Sequence, residues 1–179
     1  MITPWKLLKS EWVLNEKWYK VRKDTVEVRP GKILDDYYVG VSNDIVMVLA
    51  ITEDGIVPLV RQYKHGLQDI ITELPAGMID DGEDPLESAK RELSEETGYE
   101  SDGWSKLGYF IKSAGKTVGG NIYLYLAKNA KKTSGQDLDD TEDIEVIEKP
   151  FQEALAMAKS GELQGIDTVL ALLLAEEKL

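Results

Sequence analysis

Residues Ile45–Ile51, IVMVLAI, form an unbroken apolar run rich in β-branched side chains. A run of this length reads as a buried strand, and it is far short of the roughly 20 residues that cross a bilayer. Glu53-Asp54-Gly55 follows as a turn, and Ile56–Arg61 is expected to return as the partner strand. Pro58 inside that strand favours an edge position or a bulge. Ile70–Leu74 reads as a third strand, ending at Pro75-Ala76-Gly77. Upstream, Trp12–Asn15, Trp18–Val28 and Tyr37–Val41 read as strands, with a turn at Arg29-Pro30-Gly31.

A punctuated helix comes next. Asp84 suits the N-cap, Pro85 the first helical position, and Glu87 a capping box, while Gly98 provides the stop. Leu86, Ala89 and Leu93 form an apolar stripe at helical spacing. Strands are expected around Leu107–Lys112 and Ile122–Ala127, then a polar, acidic, mobile loop over Lys131–Asp143 and a short strand at Ile144–Ile147. Phe151–Lys159 reads as a helix with Phe151, Leu155 and Ala158 inward, stopped by Gly161. Asp167 is expected to cap a last apolar helix through Val169, Leu172 and Leu173. Strands around an internal helix, with two helices closing the chain, imply an α/β sandwich with a mixed sheet.

Composition narrows the chemistry. The 179 residues include no Cys and one His, His65, so disulfide scaffolds, zinc–thiolate centres, Cys nucleophiles and multi-His metal sites are excluded. The formal net charge of −12 argues against non-specific binding to nucleic acid or to anionic membranes. It does not exclude a nucleotide substrate, because a bound divalent cation reverses the local sign. The N-terminal stretch MITPWKLLKSEW has no continuous apolar segment, so no signal peptide is read and a cytoplasmic location is expected.

The informative segment is Gly77–Tyr99, GMIDDGEDPLESAKRELSEETGY. On a helix, Glu92 and Glu96 lie one turn apart with Glu95 beside them, next to the apolar stripe. Clustered like charges destabilise a helix by about 0.2–0.5 kcal/mol per pair, and a hard divalent cation relieves that repulsion. Three glutamates alone more often mark a solvated face. The fixed spacing decides otherwise. Gly77, Glu83, Arg91, Glu92, Leu93, Glu95, Glu96, Gly98 and Tyr99 fit G-x5-E-x7-R-E-U-x-E-E-x-G-U, where U is a bulky apolar residue. Seven fixed positions at roughly 7% each give odds near 10⁻⁸ per window.

This pattern is the Nudix box, and the chain resembles the Nudix hydrolase family. Trp5 to Val41, RQYKHG at Arg61–Gly66, ELPAG at Glu73–Gly77 and DDTEDI at Asp139–Ile144 are similar to its ADP-ribose and nucleoside-diphosphate-sugar pyrophosphatase branch. The resemblance implies a Nudix α/β/α sandwich over residues 43–179 and an N-terminal antiparallel strand extension over residues 1–42. That extension would serve a homodimer and the substrate pocket. The implied reaction is hydrolysis of a diphosphate linking a nucleoside to a sugar, of ADP-ribose or GDP-mannose type. It would use two or three Mg²⁺ or Mn²⁺ ions.

The family's residues carry over as follows. Glu92, Glu96, the backbone carbonyl of Ala76, and Glu142 would hold metal. Glu83 with Arg91 would orient the box. Glu95 would be a further ligand or a base. The branch's catalytic base falls at Asp140, shorter here than the usual Glu, so Glu142 and Glu95 stay open as alternatives. Lys64 stands where an Arg commonly contacts the diphosphate. Ser113–Asn121, SAGKTVGGN, departs from the branch, and its glycines either admit a different sugar or make a tight turn.

From the residues alone, Tyr37, Tyr38 and Trp18 could stack on a base, His65 could touch phosphate, and Trp104 reads as packing. Two alternatives accompany the pyrophosphatase reading. One is a Nudix enzyme acting on a nucleoside triphosphate, dinucleoside polyphosphate or coenzyme. The other is a non-catalytic nucleotide sensor.

Overall fold

The computed structural model describes residues 2–179. In chain order the elements are β1 (Lys6–Asn15), β2 (Lys20–Arg29), β3 (Lys32–Val41), β4 (Ile45–Ile51), β5 (Ile56–Lys64), β6 (Asp69–Glu73), β7 (Ala76–Met78), α1 (Pro85–Thr97), β8 (Tyr99–Glu100), β9 (Gly103–Phe110), β10 (Thr117–Val118), β11 (Ile122–Lys128), β12 (Lys131–Lys132), β13 (Ile144–Pro150), α2 (Phe151–Ser160) and α3 (Ile166–Glu176). They form two compact units. One comprises the chain up to Asp44 together with Ile111–Asn121. The other comprises Ile45–Phe110 and Ile122–Leu179.

The first unit is a sheet in the order β1-β2-β3-β10. The three long strands form an antiparallel meander, and β10 joins parallel to β3 with Thr117 opposite Gly40. β1 and β3 are longer than the expected Trp12–Asn15 and Tyr37–Val41, because backbone pairing continues where the hydrophobic pattern lapses, while β2 falls close to the expected Trp18–Val28. Pro30-Gly31 makes the expected turn, with Gly31 at φ 77°. The stretch Gly119-Gly120 is a tight turn with both glycines at positive φ, and a Cβ on Gly119 would meet the Ser42 carbonyl at 1.9 Å.

In the second unit, β7-β4-β11-β9 is a mixed sheet. β4 and β11 run parallel, Ile45 opposite Ile122 through Ile51 opposite Lys128, and the outer strands are antiparallel. Alternate residues of β4 enter two cores. Val46, Val48 and Ala50 pack with Ala89 and Leu93 of α1 and with Tyr99 and Tyr125. Met47, Leu49 and Ile51 pack with Leu124, Leu126, Leu155 and Leu172. Both faces of the strand are covered, which is why its sequence is apolar without alternation. The unit is therefore an α/β/α sandwich, with α1 on one side and α2 and α3 on the other.

Three local expectations are corrected. β5 does not pair with β4. It pairs with β13 and β6 in a separate antiparallel sheet, and Val57 and Leu59 meet β4 through side chains in the shared core. Periodicity reveals a strand but not its partner. Pro58 is tolerated because β6 covers β5 only from Val60 onward, leaving that flank unpaired. At α1 the Asp84 carboxylate accepts the N–H groups of Leu86 and Glu87, but Glu87 turns to Lys90 at 2.7 Å and does not complete the box. At α3 the N-cap is Gly165 without a side-chain bond. Asp167 lies in the first turn, and the inward face is Thr168, Ala171, Leu172 and Ala175, with Leu173 turned out.

Candidate active site

α1 brings the box together because its punctuation fixes its register: Asp84 opens it and Gly98 at φ 73° closes it. Ala89 and Leu93 are fully buried. The neighbouring positions 92 and 96 are thereby drawn inward. Glu96 is 4% exposed, and its Oε2 accepts the N–H of Ala76 at 2.9 Å. Glu92 has 12% of its side chain exposed and lies over Gly77. A Cβ at Gly77 would fall 2.0 Å from Glu92 Oε1, so only a glycine here leaves the Glu92 carboxylate where it stands.

Burial governs the electrostatics of this pair. It pushes Glu96 up to about 8. The Ala76 N–H and the Lys64 charge oppose the shift, while the Glu92 and Glu142 charges add to it. Burial also raises Glu92, against the pull of Arg91. Two carboxylates in a desolvated pocket ionise reluctantly. A bound cation would supply the missing charge.

Behind the pair lies an ion-pair network. The Arg91 fork grips Glu83 through Nε and Nη2, both at 3.1 Å, and Nη1 reaches Glu92 at 2.7 Å and Glu95 at 3.0 Å. Its Nη2 also donates to the Met78 carbonyl and the Ser88 hydroxyl. The Arg91 guanidinium holds Glu83 down to about 2, and Glu83 in turn leads the causes that raise Arg91. Glu95 faces Arg91 and is more exposed than Glu92.

Lys64 Nζ lies 2.9 Å from Glu73 Oε2, and its charge reaches Glu96. Glu73 carries no sequence signal beyond its place in ELPAG. Glu142 lies on an exposed loop, where its Oε2 accepts the N–H of Asp139 at 3.1 Å. Its charge is felt by both buried carboxylates. Asp140 is exposed on the same loop. Tyr37 and Tyr38 belong to the first unit. The Tyr37 hydroxyl donates to the Gly115 carbonyl, and its ring meets Trp5 edge-on at 5.5 Å and Lys116 at 3.8 Å. His65 is exposed, with the Tyr63 hydroxyl 3.4 Å from its Nδ1. Trp104 packs as expected, its Nε1 donating to Ser101 and its ring edge-on to Tyr125.

The acidic loop is tied down more firmly than a mobile segment would be. Thr133 and Ser134 donate N–H groups to the Gly98 carbonyl, Asp137 N–H goes to Glu95 O at 2.9 Å, and Gln136 Nε2 reaches the carbonyls of Glu96 and Ile144.

Among the described residues, no three Asp, Glu, His or Cys side chains converge as a ready metal cage. The donor set is buried Glu96 and part-buried Glu92 beside the β7 backbone at Ala76. That set fits a hard divalent ion such as Mg²⁺, which is commonly held by one or two carboxylates together with waters and substrate phosphates. A cavity of about 740 Å³, lined by Glu87, Lys90, Arg91, Ser94, Trp104 and Lys131, borders the site through Arg91 but is lined by neither Glu92 nor Glu96. Cavity size therefore does not locate the chemistry here.

Known proteins share the sequence pattern and the fold. A family described as NUDIX domain matches residues 42–169, and one described as Nucleoside diphosphate sugar hydrolase N-terminal domain matches residues 5–39. The chain is 36% identical to the methanol dehydrogenase activator of Bacillus methanolicus, over 93% of this chain and 89% of that protein. It is 34% identical to the ADP-ribose pyrophosphatase of Bacillus subtilis, over 71% and 69% of the two chains. It is 32% identical to the GDP-mannose pyrophosphatase of Salmonella arizonae, over 89% of each. A solved ADP compounds hydrolase superposes with a TM-score of 0.87 over 100% of this chain and 96% of its own, at 23% identity, which shows the shared fold. No helix among the described residues is long and apolar enough to cross a membrane.

Proposed function

We propose, from the premise that this chain belongs to the NUDIX domain family, that it hydrolyses the diphosphate of a nucleoside-diphosphate sugar to a nucleoside monophosphate and a sugar phosphate. The single observation that carries the reading is the pair of buried Glu96 and part-buried Glu92, with Glu92 packed on Gly77 and braced by Arg91 and Glu83. The names of the pyrophosphatase relatives favour ADP-ribose or GDP-mannose as the type of substrate.

Glu92, Glu96 and the Ala76 carbonyl would hold two or three Mg²⁺ or Mn²⁺ ions, joined by Glu142 from the loop. When bound, such ions polarise phosphoryl oxygens and activate water. Arg91 fixes the Glu92 carboxylate, and Glu83 fixes Arg91, so the pair is preorganised before substrate arrives. Lys64 would neutralise a substrate phosphate in competition with Glu73, its present partner. Asp140 takes the proton of the attacking water, with Glu142 and Glu95 as the other carboxylates for that step. Tyr37 and Tyr38 are substrate contacts on the same reading, and Tyr38 is about half-exposed.

The active form would be a homodimer. β1 is exposed along its whole length, yet it carries Leu7, Trp12 and Val13, which a second copy would cover. Sedimentation equilibrium checks this. The charge of −12 opposes any nucleic-acid partner. A second reading, that the chain reports to a partner protein, draws on the relative named as a dehydrogenase activator. The complete set of box carboxylates favours turnover over that reading.

The test is release of nucleoside monophosphate from ADP-ribose, GDP-mannose, UDP-glucose and ATP with Mg²⁺, with and without chelator. We expect a nucleotide sugar to lead and chelation to stop the reaction. No release from any of the four at millimolar Mg²⁺ or Mn²⁺ would overturn the proposal, and tight nucleotide binding without turnover would favour the sensor.

A further inference from the structure

The last four carbonyls of a helix lack intrahelical donors, and α1 has no basic side chain in its last turn to compensate. Gly98 N–H takes the Ser94 carbonyl at 2.8 Å. The next two are met from far along the sequence: Asp137 N–H takes the Glu95 carbonyl, and Gln136 Nε2, 40 residues on, takes that of Glu96 at 2.8 Å. The same Gln136 nitrogen also donates to the carbonyl of Ile144 at 2.9 Å. Ile144 opens β13 and is buried, so one side-chain amide joins the helix end to both ends of the loop 137–143. Gly98 seals the contact, because a Cβ there would strike the Ser134 carbonyl at 2.3 Å.

We propose that Gln136 is a positioning residue. It staples the acidic loop to the backbone of Glu96 and so sets where Asp140 and Glu142 stand relative to the Glu92–Glu96 pair. This rests on the reading of that pair as the hydrolytic site. Neither carboxylate of the loop has a rigid element of its own; Glu142 only caps Asp139 within the loop. Asp137 N–H on the Glu95 carbonyl and the pairing of Ile144 in β13 hold the two ends separately, and the bonds of Gln136 tie those ends to each other and to the end of α1. Only a side chain with two N–H donors of this reach can make the bridge.

Gln136 is exposed apart from its amide, so its substitution leaves the core intact. The test compares the wild-type chain with Gln136→Met, which keeps length and loses the donors, and with Gln136→Lys, which restores donors. Hydrogen exchange of residues 137–143 is measured without metal, and kcat and KM with Mg²⁺. In Gln136→Met we expect faster exchange confined to the loop and the end of α1. We expect kcat to fall about 10–100-fold with KM changed less than about 3-fold. Gln136→Lys should recover most of both. Unchanged exchange in Gln136→Met, or faster exchange with kcat within about 2-fold of wild type, would overturn the proposal. Glu96→Gln run alongside separates the two claims: full turnover in that variant removes the site reading itself, a result no Gln136 variant can imitate.

Discussion

Replacing Glu96 by Gln should stabilise the metal-free protein while abolishing hydrolysis. Burial lifts the Glu96 carboxyl from an ordinary 4.5 to about 8 in the folded chain. Below about pH 4.5 both folded and unfolded states hold the proton, and the residue costs nothing. Between about 4.5 and 8 the unfolded chain has released its proton and the folded chain has not, so stability falls as pH rises, by up to about 1.4 kcal/mol per pH unit. At pH 7 the cost reaches roughly 3 kcal/mol. Gln carries no such cost, and its carbonyl can still accept the Ala76 N–H. At roughly 2–4 °C per kcal/mol for a chain of this size, Tm should rise by about 5–10 °C at pH 7 in EDTA. The gain should shrink towards zero near pH 4.5. Added Mg²⁺ should raise Tm of the wild type far more than that of the variant. Thermal melts at several pH values with and without Mg²⁺ provide the assay. Equal Tm for both proteins from pH 5 to 8 in EDTA, or a gap that narrows as pH rises, would refute the reasoning.

Two further outcomes follow from the same site. Gly77→Ala should fold with Tm within a few degrees of wild type, because its Cβ meets only the terminal carboxylate of Glu92, which can swing aside without disturbing the core. Its kcat should drop about 10–100-fold in a Mg²⁺-saturated assay, since the displaced group is a metal ligand on this reading. Arg91→Lys should lower kcat at least about 10-fold and stability by about 1–2 kcal/mol in urea unfolding, because an ammonium cannot fork Glu83 and hold Glu92 and Glu95 together.

The features legible in sequence were those set by local chemistry. Ile45–Ile51 announced itself because both of its faces are covered, and Asp84 because a cap needs only its next three residues. The box told where Glu92 and Glu96 would sit because one helix carries both. What failed was pairing and competition. Nothing in Ile56–Arg61 says that its neighbours are Ile144–Pro150 and Asp69–Glu73. Glu87 looked like half of a capping box until Lys90 claimed it. Gln136 was invisible, since an isolated glutamine in a polar stretch acquires meaning only when the chain returns to the end of α1. The glycines of SAGKTVGGN gave a turn but hid β10, a two-residue strand whose order comes from β3 rather than from its own propensity.

The position of β10 has a consequence for biosynthesis. β1, β2 and β3 leave the ribosome well before β10, so the edge of β3 stays open at Gly40 and Ser42 until Lys116 and Val118 arrive to pair with it. At roughly 5–20 residues per second the nascent sheet waits several seconds with an unprotected border, while the helix bearing the carboxylates is already being made. A truncation ending at Asp44 would freeze that vulnerable interval permanently, so the amino-terminal strands cannot be cut out as a free-standing module without leaving an adhesive edge.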